Sequence, residues 1–590
     1  MIEARFDDLT GNSPSFRLAE PVGVLEATRP DEVRGLLEAA EGAAARGLWV
    51  AGYVAYEAAP GLDPALAVRT RAAGDPFERL PLAWFAMFER REDTALPVPQ
   101  ADPEPAAADA WRPSVDRETY DRAIGRIRDE IAAGETYQVN YTLRLRSQVA
   151  GDERGLYRDL CFAQRGAYAG YLNLGRYRVL SASPELFFRL DEGVLTTRPM
   201  KGTAPRGRWP EEDVAVAERL RGSVKDRAEN AMIVDLLRND LGRVAEPGSV
   251  TWSDVFDLER YETVWQLTST VTARVRTGAG LADLFGALFP SGSVTGAPKV
   301  RTMQLIAELE DSPRGVYCGA VGYLAPPGSG HPAARFNVPI RTVIVDAETH
   351  AAEYGVGGGI TWDSRAAGEY DETVAKARVL VDRRPAFELY ETILHEPETG
   401  FRHLDRHLER LRASCDYFGF TYEGAAIAEA AEREATRFPH RAARIRVVVD
   451  RRGRVTSGGL PLPEPIEPVK VALDEAERVD PSDPMVFHKT TRRRRFEEAK
   501  ARHPDADDVL LTNTRGEITE TTIANVAVKL GGRWWTPPLD AGLLPGVGRE
   551  LSLEEGRAQE RPITVAELTE AEEVALVSDS RGWRRVRLVD

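Results

Sequence analysis

Four acids in two short segments are the first residues that could do chemistry together. Asp226 and Glu229 stand three apart in KDRAENAMIVDLLRNDLGRV (225–244), and Glu369 and Glu372 three apart in GEYDETVAKARVLV (368–381). Three residues is close to one helical turn, so each pair can point the same way. Two such pairs offer the oxygen donors that a hard divalent ion such as Mg2+ takes together with substrate oxygens. The chain carries 93 Asp plus Glu, so spacing alone describes ordinary solvated helix faces at least as well. Glycine shifts the balance. GVGGGITWDS (355–364) holds more glycine than a plain strand needs and suggests close approach of backbone to a ligand. SGSVTGAPKVRTMQLIAEL (291–309) sets Ser293 and Thr295 ahead of an amphipathic helix, whose first amides can hold a carboxylate or phosphate. The GxxxxGK[ST] spacing is absent, so an ATP site is not indicated.

A different set of reactive groups lies in the last third. Lys489 stands in MVFHKTTRRRRFEEAK (485–500), between an apolar run and a basic amphipathic helix. VLLTNTRGEITETTIANVAV (509–528) reads as a hairpin turning at Arg515 and Gly516 and carries Glu520. WWTPPLDAGLLPGVGRE (534–550) is a backbone-rich loop ahead of a helix. A lysine, a carboxylate and an amide loop are what pyridoxal phosphate requires: an amine for attachment, a partner for its ring nitrogen and a phosphate seat. Each is unremarkable singly, since an isolated lysine or hairpin acid is usually a solvated charge.

The elements that must position these groups fall into two parts. A length of 590 residues exceeds what one core sustains. The expected division is 1–380, a short linker 381–386 and 387–590. Within the first part, 1–95 is a small α/β portion, 96–114 a Pro/Ala-rich connector and 115–380 the catalytic core. In the first portion 29–47 reads as a helix and 48–59 as strand-like. Residues 324–336 read as a loop between the strands VYCGAVGYL and NVPIRTVIVD. In the second part Leu404, Leu408, Leu411 and Cys415 mark the apolar face of a helix over 404–420, followed by strands over 444–450 and 526–531.

Composition restricts the partners. A net charge of −16 disfavours nucleic acid. No apolar run is long enough to span a membrane, and the acids in MIEARFDDLT do not suit a signal peptide. Cys161, Cys318 and Cys415 are too scattered for a disulfide framework or a thiolate metal site, so a cytoplasmic location is expected.

The ordered motifs GETYQVNYT (134–142), SASPELFFR (181–189), TRPMKGTAPRG (197–207), the 225–244 segment, FPSGSVTGAPKVRTM (289–303) and GVGGGITWDS with EYDET resemble the chorismate-utilising family over about 115–380. Anthranilate synthase and aminodeoxychorismate synthase component I belong to that family. The resemblance implies Mg2+ held by Glu229 and Glu372 with Asp226 and Glu369 alongside. It implies a chorismate carboxylate on Arg341 and Tyr323 with amides near Gly358 and Gly359, Thr295 in the substrate loop, and Glu185 beside the reacting ring. Lys201 in PMKGT resembles the lysine of aminodeoxychorismate synthases, which attacks C2 of chorismate before ammonia enters at C4. Gln266 stands where anthranilate synthases, and several stand-alone aminodeoxychorismate synthases, carry histidine. That departure weakens the anthranilate reading more than the chorismate one.

Residues 385–585 resemble the class IV aminotransferase fold family, which includes aminodeoxychorismate lyase and the branched-chain and D-amino-acid aminotransferases. The resemblance makes Lys489 the cofactor lysine and Glu520 the acid facing the pyridine nitrogen. Arg410, Gly546, Val547 and Ser580 become phosphate contacts, and Gly548 replaces a commoner threonine. The implied fold is mixed α/β and α+β: an anthranilate-synthase-like two-sheet sandwich with outer helices, then a pyridoxal-phosphate fold of two α/β subdomains. The implied function is conversion of chorismate and ammonia to 4-amino-4-deoxychorismate, then elimination of pyruvate to give 4-aminobenzoate for folate synthesis. The alternative is an anthranilate- or isochorismate-type synthase joined to a branched-chain or D-amino-acid aminotransferase. No segment reads as a glutaminase, so a separate glutamine amidotransferase is the expected ammonia source, and a homodimer through the second part is expected.

Overall fold

The computed structural model describes residues 2–97, 111–380 and 386–589. Most of the expected connector and all but one residue of the linker therefore lie outside the described residues. Contacts divide the chain into one unit of Met1–Pro205 with Ala217–Pro385 and a second of Arg206–Val216 with Ala386–Asp590. The second unit thus includes a short stretch from the first half of the sequence, where the Tyr417 hydroxyl donates to the Gly207 carbonyl at 2.6 Å.

The described part of the first unit contains two ten-stranded antiparallel sheets. One includes Gln138–Gln148, Ala351–Ile360, Thr342–Asp346, Tyr177–Ser183, Tyr168–Asn173 and Glu3–Asp7, and the other Met200–Pro205, Val264–Arg274, Leu186–Asp191, Ala320–Leu324 and Trp49–Val54. Strand periodicity explains the layering. Trp49, Ala51 and Tyr53 join Leu172, Val179 and Ile344 in a core between the sheets. Their neighbours Val50 and Val54 face the helices Pro30–Ala45, Val224–Gly242 and Leu281–Leu288. Leu180, Val343 and Val345 face the helices Arg117–Ala132 and Glu153–Gln164 on the outside of the other sheet. The result is a two-sheet sandwich with outer helices.

One local reading needs correction. Residues 324–336 are not all loop, because Ala334–Asn337 is a strand of the second sheet. The expected strand NVPIRTVIVD is broken in turn, with only Thr342–Asp346 continuing, in the first sheet. Pro339 has no N–H for a ladder, and Arg341 adopts φ 53. That bend takes the chain from one sheet to the other, and it lies at a residue expected to bind substrate.

The second unit has two α/β subdomains. Leu389–Glu396, Ala443–Val449 and Val455–Pro461 form most of a four-stranded sheet covered by the helices Leu404–Phe418 and Gly424–Ala435. An eight-stranded sheet follows, in which Val469–Val479 pairs in parallel with both Asp508–Asn513 and Gly582–Val589.

Candidate functional site

In the first unit Lys201 projects from Met200–Pro205 toward the helix Val224–Gly242, and its Nζ lies 3.5 Å from Glu229 Oε2. Asp226 is in the first turn of that helix, where Ser223 caps it and donates to its carboxylate. Lys201 also lies against Gly359. A Cβ at Gly359 would sit 2.5 Å from Lys201 Nζ and 2.9 Å from Gln138 Nε2, so glycine lets the amine pass over the backbone. A Cβ at Gly358 would face Lys376 Nζ at 3.4 Å, Glu369 Oε2 at 3.6 Å and Glu372 Oε1 at 3.8 Å. Glu369, Glu372 and Lys201 with Glu229 are therefore arranged around one glycine-rich strand, and Asp226 lies against Gly202 beside Lys201 in sequence.

The electrostatics separate these acids. Glu185 is buried, and desolvation raises its carboxyl to about 7 despite a 2.5 Å hydrogen bond from Ser293 Oγ and the nearby Lys201 charge. Desolvation also raises Glu369, with the Glu372 charge adding to it against a bond from Ser364. Glu372 goes the other way, held down by Lys376 at 2.6 Å. Burial lowers Lys376 in spite of that partner, and its Nζ donates to the Gly357 carbonyl at 2.9 Å. Arg341 donates to the Lys376 carbonyl and makes no ion pair among the described residues, which leaves its charge for an anion.

Two expected residues stand apart from this set. Thr295 is fully buried, and its hydroxyl donates to the Ser291 carbonyl at 3.0 Å, fixing the loop. Tyr323 packs in the core between the sheets, edge-on to Phe6 at 5.1 Å and to Phe16 at 5.2 Å, beside a small cavity lined by Asp7, Asp8 and Arg335. The structure does not bring it to Lys201. Sequence reasoning in turn passed over Gln138, whose amide nitrogen and oxygen are both buried beside Lys201 with no hydrogen-bond partner among the described residues. Such a group is costly unless something else binds it. Lys376 was also passed over, although its spacing of four from Glu372 is a readable signal.

In the second unit one cavity of about 290 Å3 is lined by Lys489, Glu520, Arg410, Gly546, Val547, Gly548 and Ser580. The backbone of Lys489 is bonded to that of Tyr390, and its Nζ lies 5.4 Å from that ring. Desolvation lowers the amine to about 8, with Glu391 opposing and Arg410 and Arg493 assisting. Glu520 is buried on Ile518–Thr521, and desolvation raises it to about 8 against a Leu544 amide and the charges of Arg493 and Lys489. Gly546 caps the helix Val547–Glu554, which opens onto the cavity. Arg410 donates to the Pro545 carbonyl at 2.8 Å and to both Glu391 oxygens at 2.7 and 2.8 Å. Glu391, which the sequence did not single out, is held well below the usual carboxylate range. Burial opposes this shift, but Arg410 and His407 outweigh it. His407 passes the connection on to Asp579 at 3.1 Å, so one buried network joins the turn at Gly546 to the turn holding Ser580.

Residues 11–382 match the family model for chorismate binding enzymes. The chain belongs to the chorismate-binding enzyme family. Residues 388–589 match amino-transferase class IV, so a chorismate-binding domain is fused to a class IV aminotransferase-fold domain, a fold that implies pyridoxal-phosphate chemistry in general. Aminodeoxychorismate synthase component 1 of Klebsiella aerogenes is 45% identical over 267 residues, 45% of this chain and 58% of that protein. Aminodeoxychorismate synthase of Streptomyces griseus is 46% identical over 267 residues, 45% of this chain and 36% of that protein. These matches span only part of each relative's length. Anthranilate synthase component I from Streptococcus pneumoniae superposes with a TM-score of 0.54 at 25% identity, covering 63% of this chain and 92% of that one. Among the described residues no helix is long and apolar enough to cross a membrane.

Proposed function

We propose that the first domain converts chorismate and ammonia to 4-amino-4-deoxychorismate and water, and that the second splits this product into 4-aminobenzoate and pyruvate. The observation that carries the reading is Lys201, whose amine lies over Gly359 and beside Glu229 where an amine nucleophile for the ring is needed. Lys201 attacks C2 as the C4 hydroxyl leaves, and ammonia then adds at C4 and displaces Lys201 from C2. Glu185, with its carboxyl near 7, can give the proton that the departing hydroxyl requires. Arg341 binds a substrate carboxylate, and Gln138 offers the substrate a donor and an acceptor.

The donors at this site suit Mg2+. Among the described residues no three such side chains converge on one point, but Mg2+ is commonly held by one or two carboxylates completed by substrate and water. Glu229 and Glu372 would hold it, with Asp226 and Glu369 alongside, and it would neutralise charge on the substrate carboxylate. The cavity of the second domain suits pyridoxal phosphate: a desolvated amine, a buried acid and a helix start framed by glycines. When bound, the cofactor supplies an electron sink. Lys489 would take the proton from C4 of the substrate, Glu520 would partner the pyridine nitrogen, and the amides of Gly546 and Val547 with Ser580 would hold the phosphate. Loss of pyruvate then leaves an aromatic ring, which drives the step.

The ammonia comes free or from a separate glutamine amidotransferase, and the second domain pairs with a second copy. Incubation with chorismate, ammonia, Mg2+ and pyridoxal phosphate should yield 4-aminobenzoate, identified by mass and retention. Anthranilate, salicylate or no aromatic product would sink the proposal.

A further inference from the structure

Part of the cavity in the second domain is not used by the groups described so far. Arg444, Arg581 and Arg584 also line it. They come from both subdomains, Arg444 from Ala443–Val449 and the other two from the turn and strand that follow Glu573–Ser578. Strand alternation fixes Arg444. Ile445, Val447 and Val449 are buried against the helices, so Arg444 and Arg446 fall on the opposite face with Tyr390 and Thr392. Arg446 is accounted for, since it stacks over Tyr390 at 4.0 Å.

The other three guanidiniums have no such partner. Arg584 is 5% exposed. Its Nε and that of Arg444 are buried without a hydrogen bond, and none of the three makes an ion pair or side-chain hydrogen bond among the described residues. Asp508 acts on Arg581 and Arg584 through space, as Glu467 and Asp507 do on Arg584. Asp508 Oδ1 is taken by Thr522 at 2.6 Å and by the Val509 amide, while its Oδ2 is buried and unpaired. Asp507 accepts from the Lys470 amide at 2.9 Å. Burial pushes both the Arg581 and Arg584 guanidiniums below their ordinary range, and the charges of Arg584 and Arg444 add to the shift at Arg581. The other buried arginines have carboxylate partners among the described residues, Arg144 and Arg314 on Glu310 and Arg549 on Glu560, although the Arg549 Nε also lacks a hydrogen bond. Arg584 is buried and Arg444 and Arg581 are half-buried, so leaving them unpaired is costly, and an anionic ligand entering the cavity reduces that cost.

We propose that Arg444, Arg581 and Arg584 form a carboxylate clamp that selects a ring substrate with two carboxylates over one with a single carboxylate. The proposal rests on the lyase reading of the second domain and deepens it. Its substrate, 4-amino-4-deoxychorismate, carries one carboxylate on the ring and one on the departing enolpyruvyl arm, whereas a simple amino acid has one beside its amine. The cofactor phosphate is served separately, by the glycine turn and the Arg410 network.

The test uses the full chain loaded with pyridoxal phosphate and follows the cofactor absorbance, so that binding in the first domain is silent. Isophthalate, with two ring carboxylates, should perturb the band at concentrations at least ~10-fold below benzoate, the change expected for one added charged contact. Arg581→Gln and Arg584→Gln should each erase that preference while keeping the cofactor, and Arg584→Lys should restore part of it. Equal response to both probes, an undiminished preference in the variants, or loss of the cofactor in the variants would overturn the clamp. A preference for isophthalate in a protein that makes no 4-aminobenzoate would keep the clamp and reject the lyase reading.

Discussion

Lys201 and Lys489 are asked to do related chemistry in surroundings of opposite kind. Lys201 stands among carboxylates, with Glu229 at 3.5 Å and Glu185, Glu369 and Glu372 all influenced by its charge. Lys489 has an aromatic ring for a neighbour and makes no ion pair among the described residues, and desolvation brings its amine to about 8. The first arrangement takes its character from charge, and in the proposed reaction its acids would serve a metal ion and proton transfer. The second takes its character from burial, which outweighs the through-space charges of Glu391 and Glu520, with those of Arg410 and Arg493 assisting. The two lysines of one chain thus stand in different settings, one beside carboxylates and one buried beside an aromatic ring.

The strongest way to break the comparison is to remove each amine. Lys489→Ala should eliminate the cofactor band near 420 nm and reduce the second step by at least ~10^3-fold, with 4-amino-4-deoxychorismate accumulating. Lys201→Ala should reduce the first step comparably and leave that band intact, and unchanged 4-aminobenzoate output would remove Lys201 as nucleophile. Next is Glu391→Gln, which strips the charge that Arg410 and His407 share. Breaking a buried pair costs about 3–5 kcal/mol, so the melting temperature and cofactor retention should both fall. An unshifted melting curve would show that the network is not structural.

Glu185→Gln should act mainly through pH. The folded chain keeps the Glu185 proton to about 7 and the unfolded chain only to its ordinary 4.5, so this group's contribution to stability declines as pH rises through that window. The variant should flatten that decline and abolish the loss of first-step rate above pH 7, and identical pH profiles would exclude Glu185 as the acid. The smallest effect belongs to Gly548→Thr. Sequence comparison makes it a gain of a hydroxyl contact, but a Cβ there would lie 2.6 Å from the Ser578 backbone. Cofactor affinity, measured by titration, should therefore weaken by a few-fold, and tighter binding would show that the turn can move.

The expected helices appear at Pro30–Ala45, Val224–Gly242 and Leu404–Phe418, because amphipathic spacing and capping are local. The strand after Asn337 was misread because a sheet crossover is not local: it depends on which sheet the next residues can reach. Residues within motifs, such as Lys201, Glu229, Lys489 and Glu520, could be read in the same way. Gln138 and Glu391 could not, since a buried polar residue is visible only through what surrounds it.

The sequence by itself determined the two family resemblances and singled out the two lysines, because motif order and helical spacing are carried along the chain. Only the tertiary structure decided that Tyr323 is packed into the core, that Ser293 meets Glu185 from 108 residues away, and that three arginines in the second cavity make no ion pair among the described residues. Sheet order and burial set those pairings, and they also determine whether a charged group keeps its water, finds a partner or waits for a ligand.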